Sequence, residues 1–164
     1  EIIHRRGMNM KDRIKFSDEM LAAVMDGRKT QTRRLIDKET LRLFDVASEV
    51  GECFPLGYND DEPFERYHIE FSPYGAIGDT INLADKDGDI KGEIEIVDVW
   101  LQQVQEISQE DAHAEGFEGY DDDVSGGVSP YSEFSQAWVD IYGKDSWREN
   151  PWVWVIEFKR IQEE

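Results

Sequence analysis

Cysteine is nearly absent from this chain, since Cys53 is the only one in 164 residues. A single cysteine excludes an intrachain disulfide and suits a reducing compartment, so we predict a cytoplasmic protein. It leaves no cysteine pair for a zinc site, and the three histidines, His4, His68 and His113, are not at metal-ligand spacing. We therefore expect no metal and no other cofactor.

Long apolar runs are missing as well. No segment is apolar for long enough to cross a bilayer and the N-terminus shows no signal-peptide pattern, so we expect no membrane association. The hydrophobic content of 39% and the aromatic content of 12% favour a folded globular protein over a disordered one. We interpret residues 1–10 as an N-terminal extension and residues 11–164 as one domain, which is long enough to bury a core.

Positive charge is scarce and unevenly placed. The chain has 18 Lys and Arg against 37 Asp and Glu, a net charge of −19. Residues 1–42 carry a local excess of cations, whereas residues 43–164 are strongly acidic. Because such a chain repels the phosphate backbone at long range, we expect no duplex DNA partner. A small basic pocket remains compatible with a nucleotide or one exposed strand, and the acidity itself serves solubility or attracts a basic host protein.

The cations concentrate in residues 27–34, Gly-Arg-Lys-Thr-Gln-Thr-Arg-Arg. This segment follows a predicted helix that begins after the N-cap Ser17 and ends at Gly27. The structural interpretation is that Arg28 and Lys29 complement the helix dipole, but this accounts for only one or two of the charges. The functional interpretation is that the cluster binds an anion and that a lysine beside threonines performs proton transfer.

The remaining pattern predicts an α+β fold, because strands and helices alternate without a βαβ rhythm. Strands are predicted at Tyr67–Phe71, at Thr80–Ala84 and Ile90–Val99 around an Asp87-Gly88 turn, and at Trp152–Phe158, which reads as a central strand buried on both faces. Helices are predicted at Asp37–Phe44, Ser108–Glu115 and Pro130–Tyr142, and we interpret the apolar stripe Tyr131, Phe134, Trp138 and Ile141 as core. Residues 117–130 are predicted to form an acidic, flexible loop, and residues 59–63 a turn.

Four segments in this order resemble an ASCH domain of the PUA-like superfamily, of the type that phages and prophages encode. They are Phe16 to Arg34; Pro73-Tyr74-Gly75 with Gly78-Asp79; Ile107-Ser108 with Asp111-Ala112 and Ala114-Glu115-Gly116; and Trp147 with Asn150 to Phe158. The resemblance implies a small PUA-like β-barrel with flanking α-helices. It also implies a cleft, lined by the Lys-Thr segment, that binds RNA or a modified nucleoside.

A small bacterial member of this family hydrolyses N4-acetylcytidine with a Lys, a Thr and a Glu. Motif matching places these roles on Lys29, Thr32 and Glu115. The remaining residues expected to bind substrate are Arg28, Thr30, Arg33, Arg34 and Tyr74. The chain lacks an Arg-Glu pair that longer relatives carry after the Gly-Asp element, which puts ligand choice or activity in question.

Three functions remain open at this point. The first is a hydrolase, either an amidohydrolase for an acylated nucleoside or a ribonuclease. The second is a non-catalytic module that binds RNA or a nucleotide, with Lys29 and Glu115 forming an ordinary structural ion pair. The third is an acidic phage factor that binds a host protein through its negative surface.

Overall fold

A computed structural model describes residues 10–51, 56, 68–121, 124 and 126–162. Cys53, most of the predicted N-terminal extension, the turn at 59–63 and Asp122-Asp123 of the acidic loop lie outside the described residues. In the described part of the chain, no helix combines the length and the apolar character needed to span a membrane.

Five strands form one mixed sheet in the order β1-β3-β4-β5-β2. They are β1 (Arg13–Lys15), β2 (Gln31–Leu35), β3 (Thr80–Ala84), β4 (Ile90–Gln103) and β5 (Trp152–Ile161). Only β1 and β3 pair in parallel, and the other neighbours are antiparallel. The predicted α+β class is confirmed, and so are the strands on either side of the Asp87-Gly88 turn, where Gly88 has φ +91°.

The sheet curls but stays open in the described residues, so backbone pairing does not close the small barrel that the family resemblance implied. β4 is 14 residues long and its pairing register with β5 shifts between Ile96 and Asp98, a bulge that bends the strand. The two edge strands approach each other on the far side of the curl, where Arg34 Nη2 of β2 donates to the Lys15 carbonyl of β1 at 2.8 Å. A side chain therefore links the two edges.

In the described residues, five α-helices flank the sheet: α1 (Asp18–Met25), α2 (Lys38–Glu49), α3 (Gln109–Ala114), α4 (Pro130–Tyr142) and α5 (Lys144–Glu149). The first four begin after Ser17, Asp37, Ser108 and Ser129, whose side chains accept a backbone N–H from the first turn. These four starts agree with the sequence, whereas α5 is not predicted by it.

The strand predicted at Tyr67–Phe71 is wrong for its described residues. Ile69–Phe71 form a 3₁₀ turn, closed by Phe71 N donating to the His68 carbonyl at 2.9 Å. His68 has φ +73°, a left-handed conformation that turns the chain where a strand would continue. The alternating apolar residues instead pack inward, with the Phe71 and Phe44 rings 5.5 Å apart.

Two hydrophobic clusters cover the two faces of the sheet, and β5 contributes to both. Trp154 and Ile156 pack in the larger cluster, next to α1 and α2. Val153 and Val155 pack in the second cluster, against α3 and α4. All four are at most 1% exposed, which confirms the prediction of a strand buried on both faces. Along strand β2, which pairs with β5, Gln31 and Arg33 likewise lie on one face and Thr32 and Arg34 on the other.

Candidate functional site

The end of α1 sets the position of Lys29. Gly27 ends the helix with φ +87°, and Lys29 N then donates to the Ala23 carbonyl at 3.1 Å. One residue later, Thr30 N donates to the carbonyl of Ala114 at the end of α3, at 2.8 Å. The segment between α1 and β2 is thus attached to α3, and the Lys29 side chain lies between the two helices.

Lys29 and Glu115 form a buried ion pair. Lys29 Nζ donates to Glu115 Oε1 at 2.8 Å and to the Glu115 backbone carbonyl at 2.7 Å. The two side chains are 3% and 5% exposed. Because Glu115 is the C-cap of α3, the ammonium also satisfies one of the carbonyls that a helix end leaves without an intrahelical partner.

Arg33 holds the other oxygen of the same carboxylate. Its Nη1 donates to Glu115 Oε2 and to Gln31 Oε1, both at 3.0 Å, and its Nε and Nη2 donate to Gln102 Oε1 at 3.1 and 3.0 Å. Nη2 also lies 3.6 Å from Asp111 Oδ2. The Arg33 side chain is 0% exposed, so a residue expected to contact substrate is instead enclosed by protein acceptors.

Thr32 and Arg34 point to the opposite face of β2, because side chains alternate along a strand. Arg34 Nε donates to Thr32 Oγ1 at 3.1 Å. The Arg34 guanidinium lies over the Phe16 ring, 4.9 Å from its centroid, and Lys29 Nζ lies 5.8 Å from the same centroid. One aromatic ring therefore contacts both cations, an arrangement favoured by its negative face.

Side chains from both faces of β2, which is an edge strand, line one cavity of about 220 Å³, here called the Lys29 cavity. Its polar part is formed by Lys29, Thr32, Arg33, Arg34 and Glu115, and its apolar part by Phe16, Met20, Phe117, Phe134, Ala137, Trp138, Ile141 and Tyr142, with Lys15 and Ser17 completing the wall. Ile141 is 71% exposed, so its assignment to the core is wrong. Phe134 and Trp138 of the same α4 stripe are buried and also line the cavity.

The other expected substrate-binding residues lie outside this wall. Arg28 pairs with Asp26 at 2.9 Å and lies 3.7 Å from Glu118, and it lines an adjoining, larger groove that shares Met20 and Phe117 with the Lys29 cavity. The Thr30 side chain is exposed, and the segment uses the Thr30 backbone to contact α3. Tyr74 packs against the larger cluster, where burial raises the pKa of its phenol.

Three residues of the network, Gln31, Gln102 and Asp111, are missed by sequence reasoning. Gln31 Nε2 donates to Asp111 Oδ1 at 3.2 Å, and all three side chains supply acceptors to Arg33. The sequence does contain one indication of this network: Gln31 and Arg33 are two residues apart, so their side chains share one face if the segment is a strand.

Burial controls the charge state of Lys29. Removal from water lowers the pKa of Lys29, because the charged form loses hydration. Glu115 opposes this shift, while the nearby charges of Arg34 and Arg33 add to it. A lysine with a lowered pKa has a larger neutral fraction and can accept a proton. Among the described residues, no three His, Cys, Asp or Glu side chains form a group suited to a metal ion.

Several solved structures are similar to this chain, and they include the following three. An ASCH domain from Lactobacillus crispatus JV V101 has 15% identity and a TM-score of 0.48, over 87% of this chain and 70% of that one. Protein EF3133 from Enterococcus faecalis V583, of family DUF984, has 16% identity and a TM-score of 0.51, over 98% of this chain and 86% of that one. Hypothetical protein PH0355 has 17% identity and a TM-score of 0.46, over 91% and 97%.

The likeness to EF3133 is one of fold and extends over almost the whole chain. No protein-family model matches this chain, and no curated protein does.

Proposed function

We propose that this chain is an ASCH-type protein whose Lys29 cavity binds one modified nucleoside and hydrolyses an acyl group from its exocyclic amine, as in N4-acetylcytidine. The observation that carries the proposal is the convergence of Lys29, Thr32 and Glu115 on one cavity. All three are at most 4% exposed, although Glu115 is far from the other two in sequence. The motif match proposed this trio, and the geometry supports it.

The size and lining of the cavity favour a single base. Pockets for drug-sized ligands measure about 300–1,000 Å³, so a cavity of about 220 Å³ suits a smaller molecule. Aromatic side chains such as Phe117 and Tyr142 offer faces on which an unstacked base can pack, as in the recognition of single-stranded RNA.

The chemistry requires a nucleophile and a base. Thr32 Oγ1 attacks the acyl carbonyl carbon, and neutral Lys29 accepts the hydroxyl proton. The tetrahedral intermediate then collapses, the C–N bond breaks, and Lys29 returns the proton to the leaving amine. Water hydrolyses the resulting Thr32 ester, with Lys29 again accepting and returning a proton, and releases the carboxylic acid.

The hydrogen bonds at the site support these roles. The hydrogen bond that Arg34 Nε donates to Thr32 Oγ1 stabilises the negative charge that develops on this oxygen as its proton leaves. The two acceptors of Glu115 occupy two N–H groups of Lys29, so a neutral Lys29 keeps its lone pair free for a proton. Glu115 in this scheme orients the base and stabilises the ammonium that forms.

A second candidate, a binding module without turnover, is favoured by one contact. The ion pair at 2.8 Å stabilises the charged form of Lys29, and that form cannot act as a base. In this case the cavity binds a base or nucleotide and leaves it unchanged.

Release of acetate from N4-acetylcytidine distinguishes the two. We expect wild type to be active and Lys29→Met and Thr32→Val each to lose about 100-fold or more in kcat. Thr80→Val, an exposed threonine at the start of β3, is the matched control and keeps its activity. Saturable binding without acetate release would replace hydrolysis with the binding module, and absence of both would refute the nucleoside proposal.

A further inference from the structure

Arg33 and Arg34 are adjacent in sequence but differ in what their guanidinium groups contact. An arginine offers five N–H donors. Those of Arg33 are used within the network around Glu115. Arg34 uses one on Thr32 Oγ1 and one on the Lys15 carbonyl, and in the described part of the chain its remaining donors make no further hydrogen bond.

The two arginines also differ in charge compensation. Lys29 and Arg33 are matched by the carboxylates of Glu115 and Asp111, at 2.8 to 3.6 Å. No carboxylate of the described residues forms an ion pair with Arg34, although the chain carries 37 acidic residues. Within the described residues, Arg34 is therefore a cation in the wall of the Lys29 cavity without a carboxylate partner, and unlike the exposed Lys15 of the same wall it is half-buried.

The Arg34 side chain is held in place, unlike a solvated surface lysine. It is half-buried, its guanidinium lies over the Phe16 ring at 4.9 Å, and Nη2 is anchored on the Lys15 carbonyl. A guanidinium fixed in this way loses little conformational freedom when it binds an anion, and its planar fork suits the oxygens of a phosphate.

We propose that Arg34 binds the phosphate group of a nucleotide whose base occupies the Lys29 cavity, so that the ligand is phosphorylated. This inference rests on the proposed function and names the substrate class of the same site. The phosphate belongs either to a free mononucleotide or to an RNA strand. The small cavity and the net charge of −19 favour the mononucleotide, because an acidic protein repels a polyanion more strongly than a single phosphate.

Calorimetric titration with cytidine, cytidine 5′-monophosphate and cytidine 3′-monophosphate tests the proposal without turnover. We expect at least one monophosphate to bind wild type about tenfold or more tightly than cytidine, the minimum for hydrogen bonds to charged groups. This preference should decrease as salt is added, because salt screens the exposed side of the contact. A trinucleotide RNA with a central cytidine identifies the source: tighter binding than the monophosphates indicates a strand, and weaker binding a free nucleotide.

The variant Arg34→Gln should lose the preference for the monophosphate, because its affinity for the monophosphate should fall by more than its affinity for cytidine. Arg34→Lys keeps the charge without the fork and should retain part of the preference. Arg42→Gln removes an exposed arginine of α2 and should change neither affinity. An equal loss of affinity for cytidine and monophosphate in both Arg34 variants would indicate a purely structural role and overturn the proposal.

Two further results would also overturn it: no preference for a monophosphate in wild type, or a preference that survives in Arg34→Gln. The acetate-release assay with N4-acetylcytidine is independent of this comparison. Turnover without phosphate preference therefore leaves the proposed function standing and removes only the phosphate subsite.

Discussion

Lys29 is joined to Glu115 by both the side chain and the backbone of that residue, through Oε1 at 2.8 Å and the carbonyl oxygen at 2.7 Å. The contact fixes the end of α3 to the segment that precedes β2. Because Arg33 holds Oε2 at 3.0 Å, one carboxylate serves two buried cations. The contacts among Lys29, Arg33 and Glu115 therefore connect α3 to the segment before β2 and also line the Lys29 cavity, so stability and chemistry depend on the same three side chains.

Substitution of Glu115 by Gln should strongly destabilise the protein. The amide keeps the shape but removes the charge that compensates Lys29 and Arg33, and breaking a buried pair costs about 3–5 kcal/mol. Urea unfolding at neutral pH measures this free energy. Glu118→Gln is the control, because Glu118 is 61% exposed and 3.7 Å from its partner, and it should change stability by less than about 0.5 kcal/mol. If Glu115→Gln and Glu118→Gln change the free energy of unfolding equally, the Glu115 carboxylate does not hold α3 to the segment before β2.

The lowered pKa of Lys29 predicts a pH dependence of stability with a definite sign. In the unfolded chain, Lys29 stays protonated up to about pH 10.4, whereas the buried side chain releases its proton at lower pH. Between these two values the unfolded state binds more protons, so stability should rise with pH. Wild type should show this rise relative to Lys29→Met, and urea midpoints of both proteins across the alkaline range would measure it. Parallel curves would show that the pKa of Lys29 is not lowered.

Arg33→Lys should behave as a disruptive change although it keeps the charge. One ammonium cannot replace a fork that reaches Glu115, Gln31 and Gln102 together, so buried acceptors lose partners at about 1–3 kcal/mol each. We expect a loss of at least about 2 kcal/mol in unfolding free energy. Arg148→Lys, at a side chain 75% exposed, should be neutral by the same measurement. If both variants unfold like wild type, the network contributes little.

The role of Arg33 shows why part of the site is hidden in the sequence. Strand β2 lacks alternating hydrophobic residues, because Gln31 and Arg33 form one polar set and Thr32 and Arg34 another. Without a strand assignment, the neighbouring arginines look equivalent. Their separation onto opposite faces becomes visible only once β2 pairs with β5.

Features that depend on neighbouring residues, by contrast, can be predicted from the sequence. The N-cap Ser17, the helix-ending Gly27 and the Asp87-Gly88 turn all act on neighbouring residues, and each is found where the sequence indicates. The contact of Lys29 with Glu115 spans 86 residues, and no local pattern contains it. From sequence, the ordered motifs of the family resemblance are what places the two residues in one site.

Gly116 is predicted to tolerate no side chain. Its φ is +109°, and a Cβ there would lie 3.6 Å from Lys29 Cβ and 3.7 Å from Ala23 Cβ, so backbone strain rather than a clash sets the cost. Gly116→Ala should lower the unfolding free energy by about 1–3 kcal/mol. Gly92→Ala, in β4 with ordinary contacts and no positive φ, is the control and should be close to neutral. A neutral Gly116→Ala would show that the chain relaxes around residue 116.

Phe134 and Ile141 of α4 both line the Lys29 cavity, but only Phe134 is also packed in the second hydrophobic cluster. The helical spacing that places Phe134 in the core also selects Ile141, but the second cluster ends before it, and Ile141 is 71% exposed against 5% for Phe134. Phe134→Ala should therefore cost about 3–5 kcal/mol of stability. Ile141→Ala should change stability by less than about 0.5 kcal/mol.

Ligand affinity should show a different effect at Ile141. If a base packs against this side chain in the Lys29 cavity, its removal exposes apolar surface and costs about 1 kcal/mol of binding, or about fivefold in Kd. Val46→Ala on α2, a residue 44% exposed and outside the cavity, should bind cytidine as wild type does. Unfolding curves and cytidine titrations of wild type, Ile141→Ala and Val46→Ala separate the effect on stability from the effect on affinity. An Ile141→Ala protein that unfolds and binds like wild type would remove Ile141 from the binding surface.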